Sequence, residues 1–545
     1  MQTTIGQYLL DRLKSYGVQH LFGVPGDYNL AFLDLVEDDP HMQWVGNCNE
    51  LNASYAADGY ARLKSMGALL TTFGVGELSA INGIAGSYAE SVPVVKIVGM
   101  PSRGVVHSRK LVHHTLGDGE FLKFYNMYAE VSVAQTILNK QNAQSEIDRV
   151  LGECFLHKKP VYIGLPVDVT HIPIETYAPS PLVAKSDPKI LNAFLKDAQE
   201  LLSKSKSQVV MADYEVNRYH LNQELKRFIE AVNLPLVSLA MGKGVFDETH
   251  PNFIGVYNGI LSDARVSSLM KHADCAILIG VKLTDSLTAG FHYIREHLSI
   301  QIHPFYSQIG EKTYDDILMQ DVLKALARLK FQANFPKETH PKTPHLNGKL
   351  TQDKFFKIIQ EYLRPHDVLI AEQGTSFFGA ISMVLPSGVS FIGQPLWGSI
   401  GYTFGALLGT ALASPDRRHI LLIGDGSFQL VAQELSTMLR ENITPIIIVI
   451  NNDGYTVERC IHGPTRQYNH INMWHYSKLA SFFDVHLARE VVSFQVSSVA
   501  GLREALCVAQ QSSKLALIEA CMDKNDAPIL LKKLGALFGD IAGGA

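Results

Sequence analysis

Short apolar runs bounded by Gly, Pro or Asn recur along this chain, and stretches with 3.6-residue periodicity lie between them. Such runs read as buried strands, and the periodic stretches read as helices that cover them. In residues 1–180 the strand-like runs are Leu69–Phe73, Val92–Val98 and Pro160–Leu165. Residues 190–340 carry Gln208–Ala212, Leu234–Leu239 and Cys275–Gly280. Residues 349–545 carry Val368–Ala371, His419–Ile423, Pro445–Ile450 and Leu515–Glu519. Alternation of this kind predicts parallel sheets covered on both faces. The expected fold class is therefore α/β, with three doubly wound parallel-sheet domains at 1–180, 190–340 and 349–545. Two Pro-rich stretches, 171–189 and 333–348, read as linkers. Residues 1–20 read as an amphipathic helix carrying Asp11, Arg12 and Lys14, not as a secretory signal. Whether the first and third blocks are related is left open by the sequence.

Composition narrows the class. A chain of 545 residues, 46% hydrophobic and 19% charged, can build large cores in roughly three domains. A net charge of -5 leaves no basic footprint for nucleic acid. Cys48, Cys154, Cys275, Cys460, Cys507 and Cys521 are scattered without a C-x-x-C pair, which suits a reducing compartment and argues against a zinc site. No apolar run approaches the roughly 20 residues that cross a bilayer. A soluble cytoplasmic protein is expected.

The densest candidate chemistry is Gly424-Asp425-Gly426-Ser427, followed downstream by Asn451-Asn452-Asp453-Gly454. The run His419–Ile423 reads as a strand, and Gly424 and Gly426 permit a sharp turn after it. Ser427 then reads as the cap of a helix with apolar positions Phe428, Val431, Leu435, Met438 and Leu439. The free N–H groups of a helix start suit a phosphate. Asp425 offers a hard oxygen for Mg²⁺, and Asn452 with a carbonyl near Gly454 would complete the shell. Pro445–Ile450 would lie beside the first strand as a parallel neighbour. Gly-Asp-Gly alone is an ordinary turn; the ordered unit of strand, turn, helix, strand and Asn-Asn is far more specific.

This unit resembles the diphosphate-binding signature of the thiamine diphosphate enzymes. The first block extends the likeness: Val24–Asn29 (VPGDYN), Asn49–Ala53 (NELNA), Thr72–Glu77 (TFGVGE) and His113-His114-Thr115 are similar to the 2-oxo acid decarboxylases, the pyruvate and indolepyruvate decarboxylase group. The wording of Ala371–Phe378 and Pro395–Gly401 looks closest to the branched-chain 2-oxo acid enzymes. The similarity spans essentially the full length, with every motif in family order.

The resemblance implies thiamine diphosphate and Mg²⁺ as cofactors. It implies cofactor contacts from Glu50, Thr72, Thr375, Gly398, Ser399, Ile400, Asp425, Gly426, Ser427, Asn452, Gly454, Tyr455, Thr456 and Val457, with Asp425, Asn452 and Gly454 on the metal. Glu50 matches the carboxylate that hydrogen-bonds the coenzyme's pyrimidine and promotes its imino form. Ile400 matches the side chain beneath the coenzyme's bend, and the Gly398 carbonyl holds the amine. The ylide would add to the keto carbon of a 2-oxo acid, CO₂ would leave, and the resulting enamine would be protonated to release an aldehyde. Asp27, His113, His114 and Glu458 match the proton-transfer group, a coupled set in which no individual proton is assigned. Zinc on the histidine pair is disfavoured, because no ligand stands at helical spacing from it.

By the same likeness, Gln373, Phe377, Phe378, Ser286, Leu287, Val457, Ile461 and Phe538 match the substrate pocket. They include no Arg or Lys to pair with a second carboxylate, which argues against 2-oxoglutarate. Small Ser286 and Val457 favour branched, medium aliphatic or aromatic 2-oxo acids over pyruvate, with broad tolerance. A homodimer with shared active sites is implied, with a homotetramer common in the family. The central block matches no catalytic residue and reads as structural. Amino-acid breakdown is the expected setting. The rival readings are pyruvate decarboxylase proper, an acetolactate synthase-like carboligase or benzoylformate decarboxylase relative, a nicotinamide dehydrogenase, which lacks its G-x-G-x-x-G, and a non-catalytic scaffold.

Overall fold

The computed structural model describes residues 2–179, 182–291, 299–333, 335, 346–484 and 491–543. Its three blocks are three sheets. The first sheet has six parallel strands in the order Gln43–Gly46, His20–Gly23, Gly67–Thr72, Val94–Met100, Val161–Pro166, Ala134–Ile137. The third is also six-stranded and parallel: Ser390–Ile392, Val368–Ala371, His419–Gly424, Ile446–Asn451, Ala516–Cys521, Val492–Val496. Counted in chain order within its own block, each sheet runs second, first, third, fourth, sixth, fifth. The two blocks thus share one topology, which the sequence had left open. The central sheet has seven strands; the first five pair in parallel, and Tyr306–Ile309 and Lys312–Asp315 are added at one edge by successive antiparallel pairings.

The apolar runs became strands because their residues are buried on both faces. All six residues of Gly67–Thr72 and all seven of Val94–Met100 are buried. Gln208–Ala212 and Val368–Ala371 match the expected bounds, whereas Leu234–Leu239 contributes only Leu236–Ser238. His20–Gly23 and Gln43–Gly46 escaped the sequence reading, being four residues each with little apolar run. The N-terminal helix spans Ile5–Ser15 and buries Ile5, Tyr8, Leu9, Leu10 and Leu13. No helix among the described residues is long and apolar enough to cross a membrane.

The 171–189 linker needs correction. Pro173–Glu175 pairs antiparallel with Gln2–Thr4, tying the end of the first block to its start. Asp187 caps the helix Pro188–Lys204 by accepting from the Lys189 and Ile190 amides. Residues 180 and 181 lie outside the described residues, as do 334 and 336–345 of the second predicted linker.

The first and third blocks meet along the helices Glu50–Leu63 and Tyr402–Ala413. Small residues let these backbones touch. A Cβ on Gly59 would stand 2.3 Å from the Ala406 carbonyl oxygen, and one on Gly409 would stand 1.9 Å from that of Ala56. A buried polar cluster crosses the same seam. Tyr402 donates to Asp58 at 2.5 Å, Arg62 pairs with Asp58 at 2.7 Å and with Glu90 at 2.8 Å, and Arg62 also donates to the Gly393 carbonyl. Burying these charges is tolerable because each is paired.

Gly409→Ala tests this seam. Alanine gains about 1 kcal/mol of helix propensity over glycine. Overpacking against backbone that cannot rotate away costs about 1–3 kcal/mol, so the clash should win. Thermal unfolding should show a lower Tm for Gly409→Ala. Gly104→Ala, whose Cβ meets nothing within 4 Å, should show no loss.

Candidate active site

In open parallel sheets, ligands sit beyond the carboxyl ends of the strands where strand order reverses. In the third block that point lies between Val368–Ala371 and His419–Gly424. A cleft of about 460 Å³ opens there, lined by Gln373, Thr375, Gly398, Ile400, Asp425, Gly426, Ser427, Asn452, Gly454, Tyr455, Thr456, Val457 and Glu458, with Gly374, Ser376 and Gly424. Folding therefore gathers nearly all the predicted third-block cofactor residues around one cavity.

Asp425 is its electrostatic centre. It is 1% exposed. Its Oδ2 accepts from the Asn452 amide at 3.2 Å and the Gly454 amide at 3.0 Å, and Oδ1 accepts from the Gly426 amide at 2.8 Å. Burial nevertheless pushes its carboxyl up to about 6, against the pull of those amides. The carbonyls of this loop are held by Arg459, which no local sequence pattern singled out. It is buried and donates to the carbonyls of Asn452, Asp453 and Asn469. The Gly454 carbonyl also accepts from the Thr456 amide at 3.0 Å.

The turn differs from expectation. The helix starts at Asp425 and ends at Gln429, with Gly424 in the cap position in extended backbone, so Ser427 is inside the first turn and is not its cap. A second helix, Glu434–Arg440, carries the predicted apolar residues Leu435, Met438 and Leu439. Neither Gly424 nor Gly426 has positive φ. Gly426 is needed for space: a Cβ there would lie 2.6 Å from the Tyr455 ring.

Two further loops face the cleft and are joined by Glu372. This buried carboxylate accepts from the Gln373 amide at 3.1 Å, from the Thr403 amide at 3.2 Å and from the Thr403 hydroxyl at 2.5 Å. Burial pushes it up to about 7. The clamp sets the Gln373 loop against the loop of Gly398 and Ile400, where Gly398 and Gly401 both have positive φ. Buried Gln373 Oε1 and Ser376 Oγ lack protein partners and line the cleft.

The equivalent reversal point of the first block, between His20–Gly23 and Gly67–Thr72, carries the second group of predicted residues. His113 Nε2 lies 2.7 Å from Asp27 Oδ2, and His114 Nε2 lies 3.9 Å from Asp27 Oδ1. Tyr28 stacks on His113 at 4.9 Å. His114 adopts φ 61°, and its carbonyl would be 1.9 Å from a Cβ on Gly74, so glycine is required there. Glu50 begins the helix Glu50–Leu63, capped by Asn49, and its Oε1 would be 3.0 Å from a Cβ on Gly76, beside Thr72. Thr72 Oγ1 is buried without a partner. Beneath lie Glu77, pushed up to about 6 by burial, and Lys96, pushed down to about 7 by burial and bonded to Thr71. The spacing argument against a metal on the histidine pair overlooked Asp27, which folding brings within 4.8 Å of both rings.

The two groups stay apart within the chain. Asp27, His113, His114, Glu50 and Thr72 do not line the cleft that holds Asp425 and Glu458. Asp27 and His113 are half-exposed, at 51% and 57%. Ser399 lies in the seam, bonded to Tyr55 at 2.6 Å, rather than in the cleft. Among the predicted pocket residues only Gln373 and Val457 reach the cleft. Phe377 packs on Gly393 and Phe391. Phe378 lines a different cavity of about 780 Å³ with Phe356 and Met383. Leu287, Phe377 and Phe378 share one apolar core, with Val457 and Phe538 packed against it. Ser286 and Ile461 are half-buried.

The residues present fit a diphosphate and a divalent cation. A buried carboxylate held by three amides, a buried Asn452 side chain with no partner of its own among the described residues, and the orphaned oxygens of Gln373 and Ser376 all belong to residues that line one cavity.

Comparison with known proteins bears on this geometry. The chain matches three family models: the N-terminal TPP binding domain of thiamine pyrophosphate enzymes over residues 3–121, the central domain over 195–329, and the C-terminal TPP binding domain over 378–520. It is 43% identical to an alpha-keto-acid decarboxylase of Mycobacterium ulcerans (strain Agy99), covering 99% of this chain and 97% of that one. It is 44% identical to that of Mycobacterium tuberculosis (strain ATCC 25618 / H37Rv), with 99% and 97% covered, and 42% identical to that of Mycobacterium leprae (strain TN), with 97% and 95% covered. With matches over all three blocks and a cleft built for a diphosphate, the chain belongs to the thiamine diphosphate-dependent 2-oxo acid decarboxylase family.

Proposed function

We propose that this chain converts 2-oxo acids to an aldehyde and CO₂ without oxidation, with thiamine diphosphate and Mg²⁺ as cofactors and Asp425, Asn452 and Gly454 as the residues that would hold the metal. Branched, medium aliphatic or aromatic 2-oxo acids are preferred over pyruvate. The working unit is a homodimer with shared sites, assembled further into a homotetramer. One observation carries the reading: Asp27, His113 and His114 gather in one cluster, yet none of them lines the cleft that holds Asp425 and Glu458. A second copy presenting its Glu50, Asp27, His113 and His114 to this cleft joins the two halves.

When bound, the coenzyme supplies a carbon nucleophile and an electron sink for decarboxylation. The chain's own residues do the rest. Asp425 would hold the metal, and the first turns at Asp425–Ser427 and Thr456–Glu458 line the cleft that would take the diphosphate. Ile400 and Gly398 would support the coenzyme from the cleft wall. Glu50 of the partner copy would hydrogen-bond the coenzyme's pyrimidine. Asp27, His113 and His114 deliver a proton to the nascent aldehyde, and Glu458 stands at the mouth where carboxylate leaves. Within one chain only Gln373 and Val457 of the predicted pocket line the cleft, so substrate preference would rest on them first, with Phe377, Phe378, Leu287 and Phe538 shaping it from the surrounding core, together with half-buried Ile461 and Ser286. Arg459 donates to the loop carbonyls, and no Arg or Lys lines the cleft among the described residues to pair with a second carboxylate.

Aldehyde release tests the chemistry. Wild type with thiamine diphosphate and Mg²⁺ should form 3-methylbutanal from 4-methyl-2-oxopentanoate. Removal of metal with EDTA should abolish this, and Glu50→Gln should lower kcat by about 100-fold or more. Across a panel of 2-oxo acids, kcat/KM should be greater for 4-methyl-2-oxopentanoate or phenylpyruvate than for pyruvate; pyruvate at the top would refute the preference.

Mixing tests the shared site. Glu50→Gln and Asp425→Asn chains should each be inactive. Random re-pairing of equal amounts yields mixed dimers with one intact site, restoring about a quarter of wild-type activity. If no activity returns although mixed dimers form, each chain uses its own Glu50.

A further inference from the structure

The segment that delivers Glu50 is held from the third block. Between the strand Gln43–Gly46 and the helix Glu50–Leu63, the chain runs along the helix Glu434–Arg440. Gln43 donates to Glu441 at 2.8 Å, and Arg440 donates to the Gly46 carbonyl at 2.5 Å. At the centre stands Glu434, 0% exposed. Its Oε1 accepts from Asn47 Nδ2 at 2.7 Å, and its Oε2 accepts from the Cys48 amide at 3.3 Å and from Asn52 Nδ2 at 2.9 Å. These donors bracket Glu50 on both sides. Asn52 shares its first helical turn, and the Asn52 amide also donates to the cap residue Asn49 at 2.8 Å.

We propose that Glu434 is a positioning residue for Glu50, setting the height and tilt of the first turn from which Glu50 reaches the coenzyme. This rests on the role given to Glu50 above. A buried carboxylate surrounded by three donors is specific in a way packing is not: replacing one of its oxygens by an NH₂ group sets donor against donor. The tether also has a direction. Glu434 opens the helix that follows the cradle helix Asp425–Gln429, so the element behind one chain's diphosphate site grips that chain's Glu50. In the proposed dimer that Glu50 serves the other site.

The test uses the full-length holoenzyme and four variants: Glu434→Gln, Glu50→Gln, their combination, and Glu434→Gln with Asn52→Asp. Steady-state kinetics with 4-methyl-2-oxopentanoate are read alongside thiamine diphosphate affinity from tryptophan emission and hydrogen exchange of residues 46–55. Glu434→Gln should speed exchange in that segment and lower kcat about 10- to 100-fold, with KM for the 2-oxo acid within about threefold. Added to Glu50→Gln it should cost less than about threefold more, because a residue acting through Glu50 has nothing left to act on. Asn52→Asp, which restores an acceptor opposite the new amide, should recover most of the loss. Wild-type kcat in Glu434→Gln, or losses that multiply with Glu50→Gln, would overturn the proposal. Full activity in Glu50→Gln alone would refute the role of Glu50 and this inference together, and is seen in that arm only. Should Glu434→Gln fail to fold, Asn47→Ala removes one of those three bonds to Glu434, together with the bond that Asn47 Oδ1 accepts from the Gly23 amide. It should move exchange and kcat in the same direction with the same non-additivity, and unchanged values would overturn the proposal.

Discussion

The contact between the helices Glu50–Leu63 and Tyr402–Ala413 is the constraint on which the site depends. Glycine at 59 and 409 lets the two backbones touch, and no larger residue leaves that separation intact. The Asp58–Arg62–Glu90 cluster with Tyr402 then locks the relative slide of the helices, since a buried charge displaced from its partner is costly. Glu50 begins one of these helices, and the Gly398–Ile400 loop precedes the other. Their placement is a consequence of this seam, reinforced by the Tyr55–Ser399 bond.

The shared strand order of the outer blocks places a functional group at the same topological point in each. In the third block the reversal carries Asp425 and the Gln373 loop; in the first it carries Asp27 and Thr72. Backbone amides and carbonyls at strand ends are free of the sheet, so both points offer polar groups without breaking a ladder. One block carries a cleft around buried Asp425, and the other an exposed cluster of acid and imidazole. The proposed shared site is what would join the two.

Burial dominates the electrostatics of both groups. Asp425, Glu372 and Glu77 are all pushed upward by loss of water, and Lys96 downward, even where amides or hydroxyls lie within hydrogen-bond reach. A buried carboxylate of this kind favours any cation that reaches it, which suits the metal role proposed for Asp425. Glu372 instead serves as a clamp between loops.

Much of this was legible in the chain itself. Local chemistry was enough for the parallel α/β class and for strands such as Gln208–Ala212 and Val368–Ala371, and it singled out Asp425, Asn452 and Gly454, because apolar runs and glycine turns act within a few residues; Tyr455, Thr456 and Val457 came only through the family resemblance. Other features arise from distant packing. The pairing of His113 with Asp27 joins residues 86 apart in sequence. Glu434, Glu372 and Arg459 show their roles only through partners on other elements. The 171–189 segment gained its strand from pairing with the N-terminus, and Ser427 lost its cap role because the helix begins two residues earlier. Phe378 faces a cavity separate from the cleft, since the direction of a side chain depends on what its helix packs against. The sequence alone determined which chemistry the chain carries. Tertiary structure alone decided that this chemistry is divided between two faces, because which groups meet is settled by long-range packing that no local pattern encodes.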